Sequence, residues 1–406
     1  MYIKVTLGKN IRKVKINFKK MITLRLLNKK SPRILLCLFI GIYCTSCGNL
    51  TTKKATKTNN TINQIIEKNA NSLISEPLIN AISIGVYKDG KTYTGHFGEL
   101  DKGKGNKPTN ETIYEIASVS KSFTGTLVAQ AVLDKKLSLE DDIRMYLSGN
   151  YSNLEYQNNP IRIRHLITHT AGLPRFLPTR VNSLFDNIDE NLPFRIYDIN
   201  KDYDKTQFLT DLQSISINTL PGTTYGYSNA DTELMAYILE NIYQSTFDQL
   251  LQKYICKKTE MKNTKVHLSK EELSRLANGY GAIGNNVPHF SNTLWGAGGG
   301  MKSTTSDLIN YMKFQLDINN QPAQESHKLL YFNNDIQTGY LWPIENNPED
   351  GVFYTIHGGA FGTQNFLTII PKHKLGISII TNQSGPETHR QLLNTLNNLL
   401  SELREK

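Results

Sequence analysis

Of the four cysteines in this 406-residue chain, Cys37, Cys44 and Cys47 fall near the start and only Cys256 lies in the rest. A disulfide framework is thereby excluded for the bulk of the chain. Long apolar runs are equally scarce. The run Ile34-Leu35-Leu36-Cys37-Leu38-Phe39-Ile40-Gly41-Ile42-Tyr43 is too short for the ~20 residues that a membrane-spanning helix needs. Acidic residues are missing from residues 1–46, which hold 11 of the 46 Lys and Arg and none of the 36 Asp and Glu. Residues 47–406 therefore carry 35 basic against 36 acidic side chains, so the formal charge of +10 describes one end and not the whole. That distribution argues against a nucleic-acid-binding surface.

A basic stretch, a short apolar run and then Cys44-Thr45-Ser46-Cys47 have the layout of a secretory signal. Small residues ahead of Cys47 resemble a bacterial lipobox, with Cys44 departing from the usual Leu. The resemblance implies a signal peptide over 1–46 and lipidation of Cys47, with Met1 or Met21 as the start. An uncleaved membrane anchor is the other reading; both place the protein in the bacterial cell envelope, periplasmic or at the outer membrane. Residues 47–60, rich in Thr, Lys and Asn, read as a disordered tether, and 61–406 as one large domain.

Within that domain, Ala117-Ser118-Val119-Ser120-Lys121 sets a hydroxyl three residues before an amine where the pattern turns helical. Residues three apart share a helix face, with Cβ atoms roughly 5–6 Å apart. The amine of Lys121 can then take the proton of Ser118 as its oxygen attacks a carbonyl, which is how an acyl-enzyme forms. Ser120 faces away from Lys121 and is not the nucleophile. S-x-x-K alone also fits a solvated helix start. Two further motifs weigh against that: Tyr227-Ser228-Asn229 after the Pro221-Gly222 turn, and His357-Gly358-Gly359 at the end of the strand-like run Val352 to Ile356.

The order S-x-x-K, Y-x-N and then a strand ending in His-Gly-Gly resembles the serine β-lactamase and penicillin-binding-protein superfamily, most closely its class C-like branch. Ile161 to Pro174 is similar to the family's IRHLLTHTSGLP segment, and Gly298 to Thr304 to its GGLxST segment. Leu367 to Pro371 and Ile379 to Asn382 are similar to its last two strands. The resemblance covers residues 62–404. It implies Ser118 as nucleophile, Lys121 as base and Tyr227 as second proton carrier, its phenol held by Lys121 and His357. Asn229 would orient the substrate amide carbonyl and Lys121, or simply cap a turn. Ser118 and Ala360 would supply the oxyanion-hole amides, with Gly358 and Gly359 permitting close backbone approach. Relatives usually carry Lys at 357 and Ser or Thr at 360, where the hydroxyl helps to bind a substrate carboxylate. Arg390, Lys372 and Lys302 are the candidate cations to substitute for the missing groups.

The same residues predict an α+β fold. Ile62 to Leu73 has helical spacing, Ala81 to Tyr87 and Thr92 to Phe97 read as strands around a turn at Lys88-Asp89-Gly90-Lys91, and Glu387 to Leu403 reads as a C-terminal helix. Both chain ends would build one antiparallel sheet, flanked by helices, with a mostly helical insertion between. Arg175 to Ser216 shows no strong period and is expected either to cover the cleft or to pack on itself.

No metal or cofactor is expected. His165 and His169 are spaced like a zinc-binding pair but Leu166 stands where a glutamate is needed, Met301 interrupts the phosphate-loop pattern from Gly296 to Ser303, and Tyr203 and Leu209 spoil the calcium-loop pattern from Asp198. The expected substrate is an ester, amide or D-amino-acid peptide, small or cell-wall derived. The alternatives are a DD-carboxypeptidase or class C-like β-lactamase, and a non-catalytic binding relative.

Overall fold

The computed structural model describes residues 2–7, 10–15, 61–290, 294–404 and 406. The chain divides into two units, 1–58 and 59–406. In the first, Tyr2–Leu7 and Asn10–Lys15 pair as an antiparallel hairpin with Tyr2 opposite Lys15. The apolar signal run, Cys47 and the tether lie outside the described residues.

The second unit opens with helix α1 (Ile62–Ile74), which Thr61 starts through a reciprocal cap: Gln64 N–H donates to Thr61 Oγ1 and Thr61 N–H to Gln64 Oε1. Strands β1 (Ala81–Lys88) and β2 (Lys91–Gly98) follow, joined at Asp89-Gly90, both with positive φ (49° and 84°). That turn geometry matches the twist of the strands it joins, which is why Asp-Gly marks it in sequence. At the other end lie β5 (Tyr331–Phe332), β6 (Gln337–Gly339), β7 (Trp342–Asn347), β8 (Gly351–Gly359), β9 (Gln364–Ile370) and β10 (Leu375–Thr381), before helix α5 (Pro386–Leu403). The eight strands form one antiparallel sheet in the order β5-β6-β7-β8-β9-β10-β1-β2. Both ends of the domain thus build the sheet, as its apolar pattern predicted.

Strands β9 and β10 are buried along their whole length. On one face Ile82, Ile84, Val86, Ile377 and Ile379 pack against Ile66 and Leu73 of α1 and Leu392, Leu396 and Leu399 of α5. Each such fully buried side chain contributes about 1.5–3 kcal/mol. On the other face lies α4 (Thr305–Leu316), against β1 and β10.

Between the sheet-forming ends comes the helical part. Its centre is α2 (Ser120–Leu133), buried continuously from Ser120 to Ala129. Its polar residues are satisfied in place: Ser122 Oγ donates to Val119 O (2.7 Å) and Thr126 Oγ1 to Ser122 O (2.9 Å). A Cβ on Gly125 would stand 1.7 Å from Tyr340 O, so only glycine lets α2 approach that backbone. Helix α3 (Asn229–Tyr243) packs against α2. The stretch Arg175–Ser216, aperiodic in sequence, contains helices at Arg180–Ser183, Leu192–Asn200 and Lys205–Ser214. The last begins at a capping box, with Gln207 N–H donating to Asp204 Oδ1 and Asp204 N–H to Gln207 Oε1.

Candidate active site

The chain enters the site from a two-stranded ladder, β3 (Tyr114–Glu115) with β4 (Lys302–Ser303), and turns into α2 through a short 3-10 turn at Ala117–Val119. Ala117 takes a left-handed conformation (φ 47°), at a cost of roughly 1–2 kcal/mol for an L residue. The turn is clamped from several sides. Ile116 N–H donates to Met301 O (3.1 Å), Thr363 Oγ1 to Glu115 O (2.9 Å), and Asn365 Nδ2 to both Ile116 O and Gly358 O (3.1 Å each). A Cβ on Gly358 would lie 2.3 Å from Ile116 O, so β8 can reach this turn only as glycine.

Ser118 Oγ is 2.6 Å from Tyr227 OH and 3.3 Å from Lys121 Nζ. Lys121 Nζ also donates to Asn229 Oδ1 (2.6 Å) and to the carbonyl of Gly298, and lies 4.8 Å from the Tyr227 ring centroid. Two accepting carbonyls match the two hydrogens of a neutral amine, leaving its lone pair for the Ser118 hydroxyl proton. Lys121 is only 1% exposed. Desolvation and then the positive charge of Arg175 lower its pKa to about 7, against the opposing pull of Glu233 and Asp231. Burial pushes Tyr227 up to about 12 despite its bond to Ser118, so its phenol keeps its proton at neutral pH.

Tyr227 is placed by the loop before α3. Gly226 N–H donates to His169 O (2.8 Å), Asn229 N–H to Arg175 O (2.9 Å), and Ser228 Oγ to Pro174 O (2.7 Å). Ser228 Oγ also accepts from Asp231 N–H, so Ser228 caps α3 and the side chain of Asn229 is left for Lys121. His169 is not paired with His165: its Nδ1 is 3.2 Å from Asp231 Oδ2 and its ring 4.8 Å from that of Tyr227. His165 Nδ1 accepts from Arg162 N–H.

Two expected roles need correction. His357 does not hold the Tyr227 phenol: its hydrogen bond runs from Nε2 to Gln364 Oε1 (2.6 Å), and Gln364 Nε2 donates on to Ser384 Oγ. Burial lowers its pKa to about 4, so it is a neutral ring against Phe366 and His389. Ala360 N–H is spent in the β8–β9 turn, donating to Thr363 O (3.0 Å). Successive N–H groups of an antiparallel strand point to opposite edges, so with the Ala360 N–H turned towards Thr363 it is Gly359 whose N–H points away from β9. Pairing of β8 with β7 ends at Tyr354, leaving that edge open at Gly359.

These groups sit in a cleft of ≈ 1130 Å³. His357 and Gly359 line one wall, Tyr225 and Trp295 the helical side, and Arg175, Phe176, Phe185 and Ile196 come from the stretch that lacked periodicity. The structure thus gathers Ser118, Lys121, Tyr227 and Asn229 within hydrogen-bonding reach and leaves His357 and Ala360 with other partners. It adds Gly298, Arg175, Asp231 and Glu233, all acting on Lys121. Gly298 lies in a motif legible in sequence; for Arg175 the position directly after Leu173-Pro174 was the available signal.

A serine hydroxyl beside a desolvated lysine and a protonated tyrosine, at a cleft flanked by an antiparallel sheet and helices, is the arrangement of the serine hydrolase class. The chain matches the Beta-lactamase family over residues 69–402 and belongs to it. It is 26% identical over 319 residues to protein flp of Staphylococcus aureus strain MW2, covering 75% of this chain but 60% of that protein. A beta-lactamase of Pseudomonas fluorescens is 27% identical over 279 residues, 69% of this chain and 70% of the relative. Among solved structures, a beta-lactamase/D-alanine carboxypeptidase from Yersinia pestis in complex with citrate superposes with a TM-score of 0.72 at 22% identity, covering 84% of this chain and 98% of the other. One from Pseudomonas syringae gives 0.69 at 20%. At those identities the likeness concerns the fold.

Proposed function

We propose that this chain is an extracytoplasmic hydrolase that forms an acyl-enzyme at Ser118 on an ester, amide or D-amino-acid peptide. The observation that carries the reading is Ser118 Oγ between Lys121 Nζ and Tyr227 OH, with Lys121 held by two carbonyls and desolvated. The Ser118 proton passes to the Lys121 lone pair as the Oγ–C bond forms. Collapse of the tetrahedral intermediate breaks the bond to the leaving group, which takes a proton from the Tyr227 phenol, reprotonated in turn by Lys121. Water then attacks the acyl-enzyme with the same groups acting in reverse. Amides of Ser118, at the start of the helical turn, and of Gly359 are the candidate donors to the oxyanion.

A second reading, β-lactam or D-alanyl peptide hydrolysis, is favoured by the names of the relatives. Ala360 and the neutral His357 weigh against it, because neither offers the hydroxyl or charge expected to hold a substrate carboxylate on β8. The extracytoplasmic placement and a lipid anchor at Cys47 rest on the sequence of residues 1–47.

Intact-mass measurement separates these readings, using protein from Thr51 onward incubated with an activated ester or with benzylpenicillin, and Ser118→Ala as control. A Ser118-dependent acyl adduct from the ester supports the reading, and one from penicillin as well supports the second. Ester turnover that survives Ser118→Ala would refute both.

A further inference from the structure

On the β8 wall the Thr355 hydroxyl is bonded to Thr368 and His357 to Gln364, and the cations offered by sequence are committed elsewhere. Lys302 Nζ donates to the carbonyls of Val266 and Phe290, Lys372 Nζ to those of Pro348 and Glu349, and Arg390 pairs with Glu387 at 2.7 Å. On the helical wall the situation differs. Arg175 lines the cleft with its guanidinium 5.4 Å from the Phe176 ring centroid and 5.1 Å from that of Phe185. Those two rings stack at 5.5 Å, and Asn182 fixes the Phe176 backbone through bonds to both its N–H and its carbonyl. Among the described residues the guanidinium makes no ion pair and no hydrogen bond. Asp189, in the same wall, is taken by Arg195 at 2.9 Å.

A guanidinium carries five donors in a rigid fork matched to a carboxylate, and its stacking on aromatic faces leaves that fork unspent. Arg175 is exposed at the mouth of the cleft, so its guanidinium is open to a ligand in the free protein. It is also near enough to Ser118 to act electrostatically on both Lys121 and Tyr227.

We propose that Arg175 binds a carboxylate of the substrate that acylates Ser118, so that anion recognition sits on the helical wall of the cleft and not on β8. The inference rests on the Ser118 reading and narrows it to acyl substrates that bear a carboxylate. The platform of Phe176 and Phe185 would take the apolar part of the same substrate, which suits a short aliphatic or aromatic chain between the carboxylate and the scissile carbonyl.

The test compares kcat/KM for 4-nitrophenyl esters of butyrate and of monoglutarate, and for a butyrate ester of 4-hydroxybenzoate, which carries the carboxylate on the leaving group. Arg175→Gln is expected to lower kcat/KM on all three esters by a shared factor, because the Lys121 pKa rises, and to take a further loss of roughly 10- to 100-fold on one carboxylated ester, with Arg175→Lys recovering part of both. Equal losses on all three esters, or no preference for either carboxylated ester in the unmodified enzyme, would overturn the proposal. Binding of monomethyl against dimethyl glutarate to Ser118→Ala, with and without Arg175→Gln, reads the same discrimination without turnover. A chain that discriminates in binding but never acylates refutes the Ser118 reading; one that hydrolyses the neutral ester yet discriminates in neither assay refutes Arg175 as the anion reader.

Discussion

Replacing Lys121 by Met should change how the stability of the protein depends on pH. In the folded state burial brings the lysine from 10.5 to about 7. Between these values the unfolded chain binds the proton and the folded chain does not, so stability rises with pH across that window. Below pH 7 the folded protein bears the full penalty of a buried ammonium, and above 10.5 it bears none. With these pKa values the lysine costs about 4 kcal/mol at pH 7 and about 1 kcal/mol at pH 10. Methionine also strands Asn229 Oδ1 and the Gly298 carbonyl, worth about 1–3 kcal/mol each, but that loss does not depend on pH. The difference between the two proteins reads the titration of Lys121 together with the groups coupled to it, Asp231, Glu233 and His169. Urea unfolding at pH 7 and pH 10 should therefore show the unmodified protein gaining about 3 kcal/mol on Lys121→Met. Parallel stability curves, differing by a constant within about 1 kcal/mol, would refute a desolvated lysine.

Two further outcomes are expected. Tyr227→Phe removes the phenol 2.6 Å from Ser118 Oγ and should lower kcat/KM on an activated ester by about 10²–10⁴ while leaving the unfolding midpoint nearly unchanged; full activity would remove Tyr227 from proton transfer. In a bacterial host, Cys47→Ala in the full chain should abolish palmitate labelling and release the protein from the membrane fraction, and unchanged labelling would rule out Cys47 as the anchor.

Local patterns carried much of this protein. The turn at Asp89-Gly90 was legible because only small or flexible residues accept two consecutive positive φ angles, and α5 because its apolar residues recur at helical spacing. The cap and helix at Asp204 were written in sequence as well, yet the surrounding stretch reads as irregular because three short helices each bury too few residues to set a period. Strands β5 to β7 had no such signal, being short and placed by their neighbours.

The sequence by itself determined that the Ser118 hydroxyl and the Lys121 amine stand together, because three residues of a helical turn bring them within reach. It also determined that both chain ends are apolar enough to form one buried sheet. Only the tertiary structure decided how that pair is tuned. The pKa of Lys121 depends on its burial and on Arg175, Asp231 and Glu233, which are 54 or more residues away in sequence. Only it showed that His357 belongs to Gln364 and that the Ala360 amide is closed within a turn, because the direction of an N–H on a strand follows from register. Arg175 is the clearest case. Its meaning lies in the partners it lacks among the described residues, a property of three-dimensional packing that no linear pattern contains.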